Sequence, residues 1–197
     1  MQALERLHPN KPMRPGQPEK REFEYRRHGT RTLIASLEVA TGRILAPILG
    51  ATRKKEDFIA HVAGLIATDA GAEWVIVADN LDTHRSHALV DWIAEQLHLQ
   101  NEVAELRQQQ KLKTKALRAA FLAAPAHRIR FVYTPKHCSW LNQIELWFGT
   151  LARTILRRGS FASVDALACA VLAFIRYYNE LKARPYNWTF TGRPVGL

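Results

Sequence analysis

The segment WVIVADN constrains this chain more than any other part of it. Trp74–Ala78 is continuously apolar, and Asp79-Asn80 stops it abruptly. Apolar residues without alternation suit a strand covered on both faces, as in sheets flanked by helices. A carboxylate at the carboxyl end of such a strand points into the crevice where open α/β sheets bind ligands. The segment therefore predicts a layered α/β protein and makes Asp79 the first candidate for chemistry.

The surrounding pattern sets the element order. Thr32, Ile34, Ser36 and Glu38 alternate with Leu33, Ala35, Leu37 and Val39, a period of two that predicts a strand. Ala40-Thr41-Gly42 supplies a turn and Arg43–Leu49 the return strand of a hairpin. Phe58, Val62, Leu65 and Ile66 fall at helical spacing, and Gly71 ends that helix. A helix follows Asp79 over Ser86–Leu97. Residues 101–124 have the polar centre QQQKLKTK and read either as one solvated helix or as a two-helix insertion. RIRFVYTP is a strand stopped by Pro135. Ser139 to Gly159 predicts a strong amphipathic helix with Trp140, Ile144, Trp147, Phe148, Leu151 and Ile155 on its apolar face. Ser163 caps a last helix with Leu167, Val171, Phe174 and Tyr178 facing inward.

This order predicts an α/β (α+β) fold, a mixed sheet flanked by helices. Trp74–Ala78 is expected at its centre, the hairpin on one side and Arg130–Tyr133 on the other. A hairpin feeding a βαβ unit fits a ribonuclease H-like sheet. In that architecture a further strand precedes the hairpin, and only the short Gln2–Leu7 stretch offers one, so the first strand is expected to be incomplete. The expected organisation is a basic arm over residues 1–31, a folded domain over 32–192 with the insertion at 101–124, and a tail over 193–197.

Charge narrows the partners. Lys and Arg outnumber Asp and Glu by 28 to 18, a net charge of +10. Such an excess favours a polyanion, because basic surfaces release counterions on nucleic acid. Two cysteines, Cys138 and Cys169, make neither a disulfide framework nor a four-cysteine zinc site, and they suit a reducing compartment. The first residues hold no signal-like apolar run, and no stretch approaches the roughly 18 apolar residues of a membrane span. A cytoplasmic protein without a membrane partner is expected.

Two constellations carry chemistry. Asp79, Asn80, Asp82 and His84 cluster in VIVADNLDTH, although an Asp after a strand is also a common turn residue or helix cap. Asn142 and Glu145 lie at the start of the amphipathic helix. Glu145 sits at the edge of the buried stripe, so its carboxylate is expected to face the sheet, or else to pair with Arg153 or Arg157. Asp79 and Glu145 are 66 residues apart, on elements this architecture brings together. Phosphodiester chemistry with two metal ions needs carboxylates that clamp both, and normally a third besides these two. His84, His87, His137 and Cys138 lack paired zinc spacing, and Cys138 lacks a base. Arg153, Arg157 and Arg158 form a candidate phosphate-contacting face, or simply complement a helix end. Trp140 and Trp147 read as core rather than as stacking platforms.

The strings EYRRHGTRTLIASLEVATG, VIVADNLDTH, YTPKHCSWLNQIELWF and FIRYYNELKARPYNWT together resemble the DDE-type transposases of bacterial insertion sequences related to Tc/mariner elements. The resemblance implies a ribonuclease H-like catalytic domain that cuts and rejoins DNA at element ends with two Mg²⁺ or Mn²⁺ ions. It implies Asp79 and Glu145 as catalytic metal ligands, with Asn80, His84 and Asn142 as supporting polar positions. It implies element ends and target DNA as partners, at the nucleoid of a bacterial cytoplasm, and allows a homodimer. Such transposases carry their first acidic residue in an Asp-Glu pair just before the segment matching Gln2–Arg6. The resemblance therefore implies an amino-terminally truncated domain, either a catalytic one or a DNA-binding remnant without activity.

Overall fold

The computed structural model describes residues 1–186 except 9, 10, 21, 136, 137, 139 and 140. The described residues form a mixed α/β fold whose strands pair two by two. Strands β1 (Gln2–Arg6) and β2 (Tyr25–Thr30) are antiparallel, with a bulge between Ala3 and Leu4. Strands β3 (Thr32–Leu37) and β4 (Ile44–Gly50) form the expected hairpin. Strands β5 (Trp74–Ala78) and β6 (Ile129–Tyr133) run parallel, with Trp74 opposite Ile129 and Ala78 opposite Tyr133. Among the described residues no helix is long and apolar enough to cross a membrane.

Local signals placed the helices. Helix α1 (Lys55–Ile66) begins where the Asp57 carboxylate accepts the Lys54 backbone N–H at 2.7 Å. Ser86 caps α2 (His87–Leu97) by accepting the Leu89 N–H at 3.1 Å. Ser163 caps α6 (Val164–Leu181) through the Ala166 N–H at 3.0 Å. Between them the chain chooses two helices over one long one, α3 (Gln100–Gln108) and α4 (Lys115–Leu122). The break is physical: Gln110 takes a left-handed φ of 57°, Thr114 caps α4, and Leu112 drops into the core. The amphipathic helix α5 (Ile144–Leu151) is shorter than expected and passes into a π-helical turn, Ala152–Leu156. Its expected cap Ser139 and its Trp140 lie outside the described residues.

Two cores result. One gathers Phe58, Val62, Ile93, Leu122, Ile129 and Phe131 from α1, α2, α4 and β6. The other gathers Ala3, Ile44, Trp147, Leu167, Val171 and Phe174 around α5 and α6. Asn179 of α6 holds the hairpin to the second core, accepting the Ile44 N–H and donating to the Ile44 carbonyl, both at 2.8 Å.

Three expectations are corrected. The arm over residues 1–31 contains a strand, β2, which lacks an alternating apolar pattern because its burial comes from β1 and α6 rather than from a sheet face. The hairpin is not hydrogen-bonded to β5, so the sheet is interrupted where it was expected to be continuous. Finally, β5 is covered on one face only: Val75 and Val77 are 51% and 49% exposed, and Val132 beside them is 47% exposed. The helices of the first core pack on the opposite face, against Ile76 and Phe131.

Candidate functional site

A cavity of about 540 Å³ separates the β3 edge from β5. Asp79, His84, Asn142 and Glu145 all line it, so elements from both halves of the chain meet there. Asn80 does not.

Asp79 stands at the carboxyl end of β5, as the strand pattern predicts. Its Oδ1 accepts the Leu81 N–H at 3.0 Å and lies 2.8 Å from His84 Nδ1. The first contact is an Asx turn, so the turn-residue role and a place at the cavity coincide. His84 lies in a 3-10 turn, Asp82–Arg85, with its ring 4.1 Å from that of Phe58. Burial lowers the His84 pKa, and this outweighs the opposing pull of Asp79. The neutral ring donates its Nδ1 proton to Asp79 and thereby orients the carboxylate.

The loop after β5 is fixed by residues the sequence did not single out. The Tyr133 hydroxyl donates to the His84 carbonyl at 2.7 Å, and burial raises its pKa. The Asn80 side-chain amide donates to the Thr134 carbonyl, which makes Asn80 a clamp between β5 and β6. Arg85 donates to the Asn80 carbonyl at 2.6 Å and lies over the Tyr133 ring. Buried Arg118 of α4 donates to the carbonyls of Arg85, Leu112 and Lys113 at 2.7, 3.0 and 2.9 Å. In the sequence Arg118 belongs to a basic, polar stretch that looks solvated, and Tyr133 looks like any strand aromatic. Only the approach of α4 to the turn gives Arg118 its role.

Glu145 lies in the first turn of α5, its N–H donating to the Asn142 carbonyl at 3.1 Å. The expected burial against the sheet is not found: Glu145 is exposed. Ile144, Trp147 and Leu151 turn into the second core, which rotates Glu145 to the solvent side of the cavity rim. Nor does it pair with Arg153 or Arg157 among the described residues. Arg153 donates to Thr150 Oγ1, and the Arg157 carbonyl accepts from Arg6. Arg153, Arg157 and Arg158 are exposed together beyond the carboxyl end of α5.

Two further acids, Glu38 and Glu73, line the cavity with Asp79 and Glu145, and the Glu38 carboxylate accepts from the Thr41 hydroxyl. Asp82 pairs with Lys115 at 2.7 Å and Glu5 with His28 at 2.8 Å, and neither lines the cavity. Glu73 lines it from before β5, about 20 Å from Asp79 along a strand of ~3.3 Å per residue. Among the described residues no group of three His, Cys, Asp or Glu is placed to hold a metal ion.

A second buried histidine ties α1 to the hairpin bulge. His61, 2% exposed, donates from Nδ1 to the Ala46 carbonyl and accepts at Nε2 from the Ser36 hydroxyl, both at 2.8 Å. Burial lowers its pKa, as it does for His84. Both folded pKa values lie below the unfolded value of about 6.5, so the unfolded chain binds more protons there. Their stabilisation is complete above about pH 6.5 and is lost as pH falls through the folded values. The urea midpoint should be flat from pH 8 to about 6.5 and fall below that, before carboxylates titrate. A midpoint unchanged to about pH 5 would contradict the neutral assignments.

The family described as DDE superfamily endonuclease matches residues 3–168. No curated protein and no solved structure matches the chain.

Proposed function

This chain belongs to the DDE superfamily of endonucleases, and on that premise we propose that it is a transposase domain acting at the ends of a bacterial insertion sequence of the Tc/mariner-related kind. Its substrate is DNA, and Asp79 and Glu145 are its catalytic carboxylates. The supporting observation is that both line one cavity although they come from separate elements, with His84 and Asn142 beside them. His84 orients Asp79, Asn142 supports the turn that carries Glu145, and Arg153, Arg157 and Arg158 hold phosphates. A homodimer would pair two such sites on two element ends.

Members of the superfamily use divalent metals such as Mg²⁺ or Mn²⁺. Carboxylate oxygens suit these hard ions, but the described residues do not fit a two-ion site. Of the acids lining the cavity, Asp79 already accepts hydrogen bonds from Leu81 and His84 and Glu38 one from Thr41, and among the described residues no three are grouped to hold an ion. Without three acids grouped among the described residues, a second reading is a DNA-binding remnant that does not cut.

One experiment separates the two. Binding of a labelled unrelated duplex is measured between about 50 and 200 mM salt, followed by cleavage of element-end DNA with Mg²⁺ or Mn²⁺. Three phosphate contacts contribute a salt slope of about −2.7, or roughly 40-fold over that range. Replacing Arg153, Arg157 and Arg158 by Ala should remove that share, and an unaltered slope would remove these residues from the DNA face. Cleavage no greater than that of Asp79→Ala would leave only the DNA-binding remnant. Cleavage that Asp79→Ala abolishes is the result expected of the enzyme and would establish it.

A further inference from the structure

We propose that the β1–β2 ribbon binds the unpaired nucleotides of a single DNA strand, with Phe23 and Tyr25 as stacking platforms and Arg27 as a phosphate contact. The proposal rests on DNA being the substrate and adds a place for one strand of it, apart from the cavity.

The ribbon sorts its side chains by charge. Cross-strand partners share a face, and neighbours along a strand alternate between faces. Arg6 lies opposite Tyr25, Glu5 opposite Arg26 and Leu4 opposite Arg27. One face therefore carries Leu4, Arg6, Tyr25 and Arg27 and no carboxylate. Glu5 falls on the other face, where it pairs with His28 at 2.8 Å.

Aromatic rings stand out along the acid-free side. Tyr25 is 50% exposed, and Phe23, two residues earlier, is 81% exposed. The ladder continues past β2 to this segment, because the Leu7 N–H donates to the Glu24 carbonyl at 3.3 Å. The Glu22 carboxylate fixes its backbone by accepting the N–H groups of Phe23 and Glu24, both at 2.9 Å. The two rings thus follow each other at about 7 Å, two residues of strand. Arg27 is exposed and makes no ion pair among the described residues.

The partner follows from that combination. Exposed rings offer flat apolar faces, and an arginine on the same face without a carboxylate offers a site for an anion. A single nucleic-acid strand matches both, with base faces for the rings and phosphates for the arginine. A duplex has the phosphates but keeps its base faces closed in the stack. The net charge of +10 favours such a polyanion over an apolar protein partner.

Backbone contacts make the ribbon continuous with the candidate phosphate face. The Phe161 N–H donates to the Leu4 carbonyl at 2.8 Å, and the Ser160 hydroxyl accepts the Arg6 N–H at 2.9 Å. The Arg6 guanidinium donates to the Arg157 carbonyl at 3.0 Å and to the Glu22 carbonyl. Arg6 therefore fixes the geometry, and a strand held by Arg157 and Arg158 would run on to the aromatic rings.

The test measures binding of the full chain to a labelled oligo(dT) strand and to an unrelated duplex. The double variant Phe23→Ala/Tyr25→Ala should bind oligo(dT) at least about tenfold more weakly with an unchanged salt slope, because stacking releases no counterions. Its duplex binding should stay within about twofold of the unaltered chain. Arg27→Ala should reduce the single-strand salt slope by about 0.7. In the unaltered chain, oligo(dT) carrying 5-iodouracil should crosslink to Phe23 or Tyr25, a readout that needs no variant to fold. Equal oligo(dT) binding by the double variant, crosslinks only at other residues, or duplex binding without oligo(dT) binding would overturn the stacking site alone. Binding of neither DNA would overturn the substrate reading and this proposal with it.

Discussion

Trp147→Ala should strongly destabilise the half of the molecule that carries Glu145. Trp147 is fully buried, and its ring packs against those of Phe148, Phe174 and Tyr178 at 5.6, 6.1 and 6.0 Å. The same packing buries the Tyr178 hydroxyl, whose pKa is pushed up to about 12. Removing an indole from such a core costs about 3–5 kcal/mol, a large part of the roughly 5–15 kcal/mol that holds a domain together. Among the described residues the indole nitrogen has no hydrogen-bond partner, so the loss is one of packing and leaves no stranded acceptor. The melting midpoint should fall by about 10 °C, and Trp147→Phe should restore most of it. A loss below about 1 kcal/mol would show that the core around α5 and α6 closes without the ring. Glu145 rides on the same helix two residues earlier, so cavity geometry and core packing would fail together.

Gly42→Ala should rank next. Gly42 takes a φ of 74°, and an added Cβ would come within 1.9 Å of the Arg184 carbonyl oxygen. The left-handed conformation costs an alanine about 1–2 kcal/mol, and the overlap with backbone adds about as much again. The expected loss is about 3 kcal/mol, read from urea denaturation with an unchanged m-value. Both segments must move to relieve it: the hairpin turn, held by the Gly42 N–H donating to Glu38, and the chain after α6. Gly16→Ala is the control, since it also has a positive φ, of 77°, but nothing within 4 Å of its added Cβ. If the two variants lost the same stability, strain in the turn and not the contact with Arg184 would be the cause.

The readable parts of the sequence share a short range. The 32–49 hairpin follows from alternation and Gly42, and the starts of α2 and α6 follow from Ser86 and Ser163, whose partners lie three residues away. Asp79 at a strand end followed from the apolar run before it. Arg118 and Tyr133 were not legible, because a basic residue in a polar stretch and an aromatic in a strand each have many more common roles. Their partners, the carbonyls of Arg85 and His84, lie 33 and 49 residues away.

Glu145 shows the limit most clearly. Helical spacing puts it at the border of the apolar stripe, which leaves two directions open. Tertiary packing decided between them, because Trp147 and Leu151 find the second core and rotate the carboxylate outward. The interruption of the sheet is of the same kind. Alternation and apolar runs determined that β3 to β6 become strands, since side-chain pattern acts within a few residues, whereas β2 carries no such pattern. Which strand edges meet depends on backbone groups that every residue carries alike. The sequence by itself therefore determined the hairpin, β5 and β6, the caps Ser86 and Ser163 and the acidic strand end, and only the tertiary structure decided that β2 pairs with β1 and that β3 and β5 face each other across a cavity.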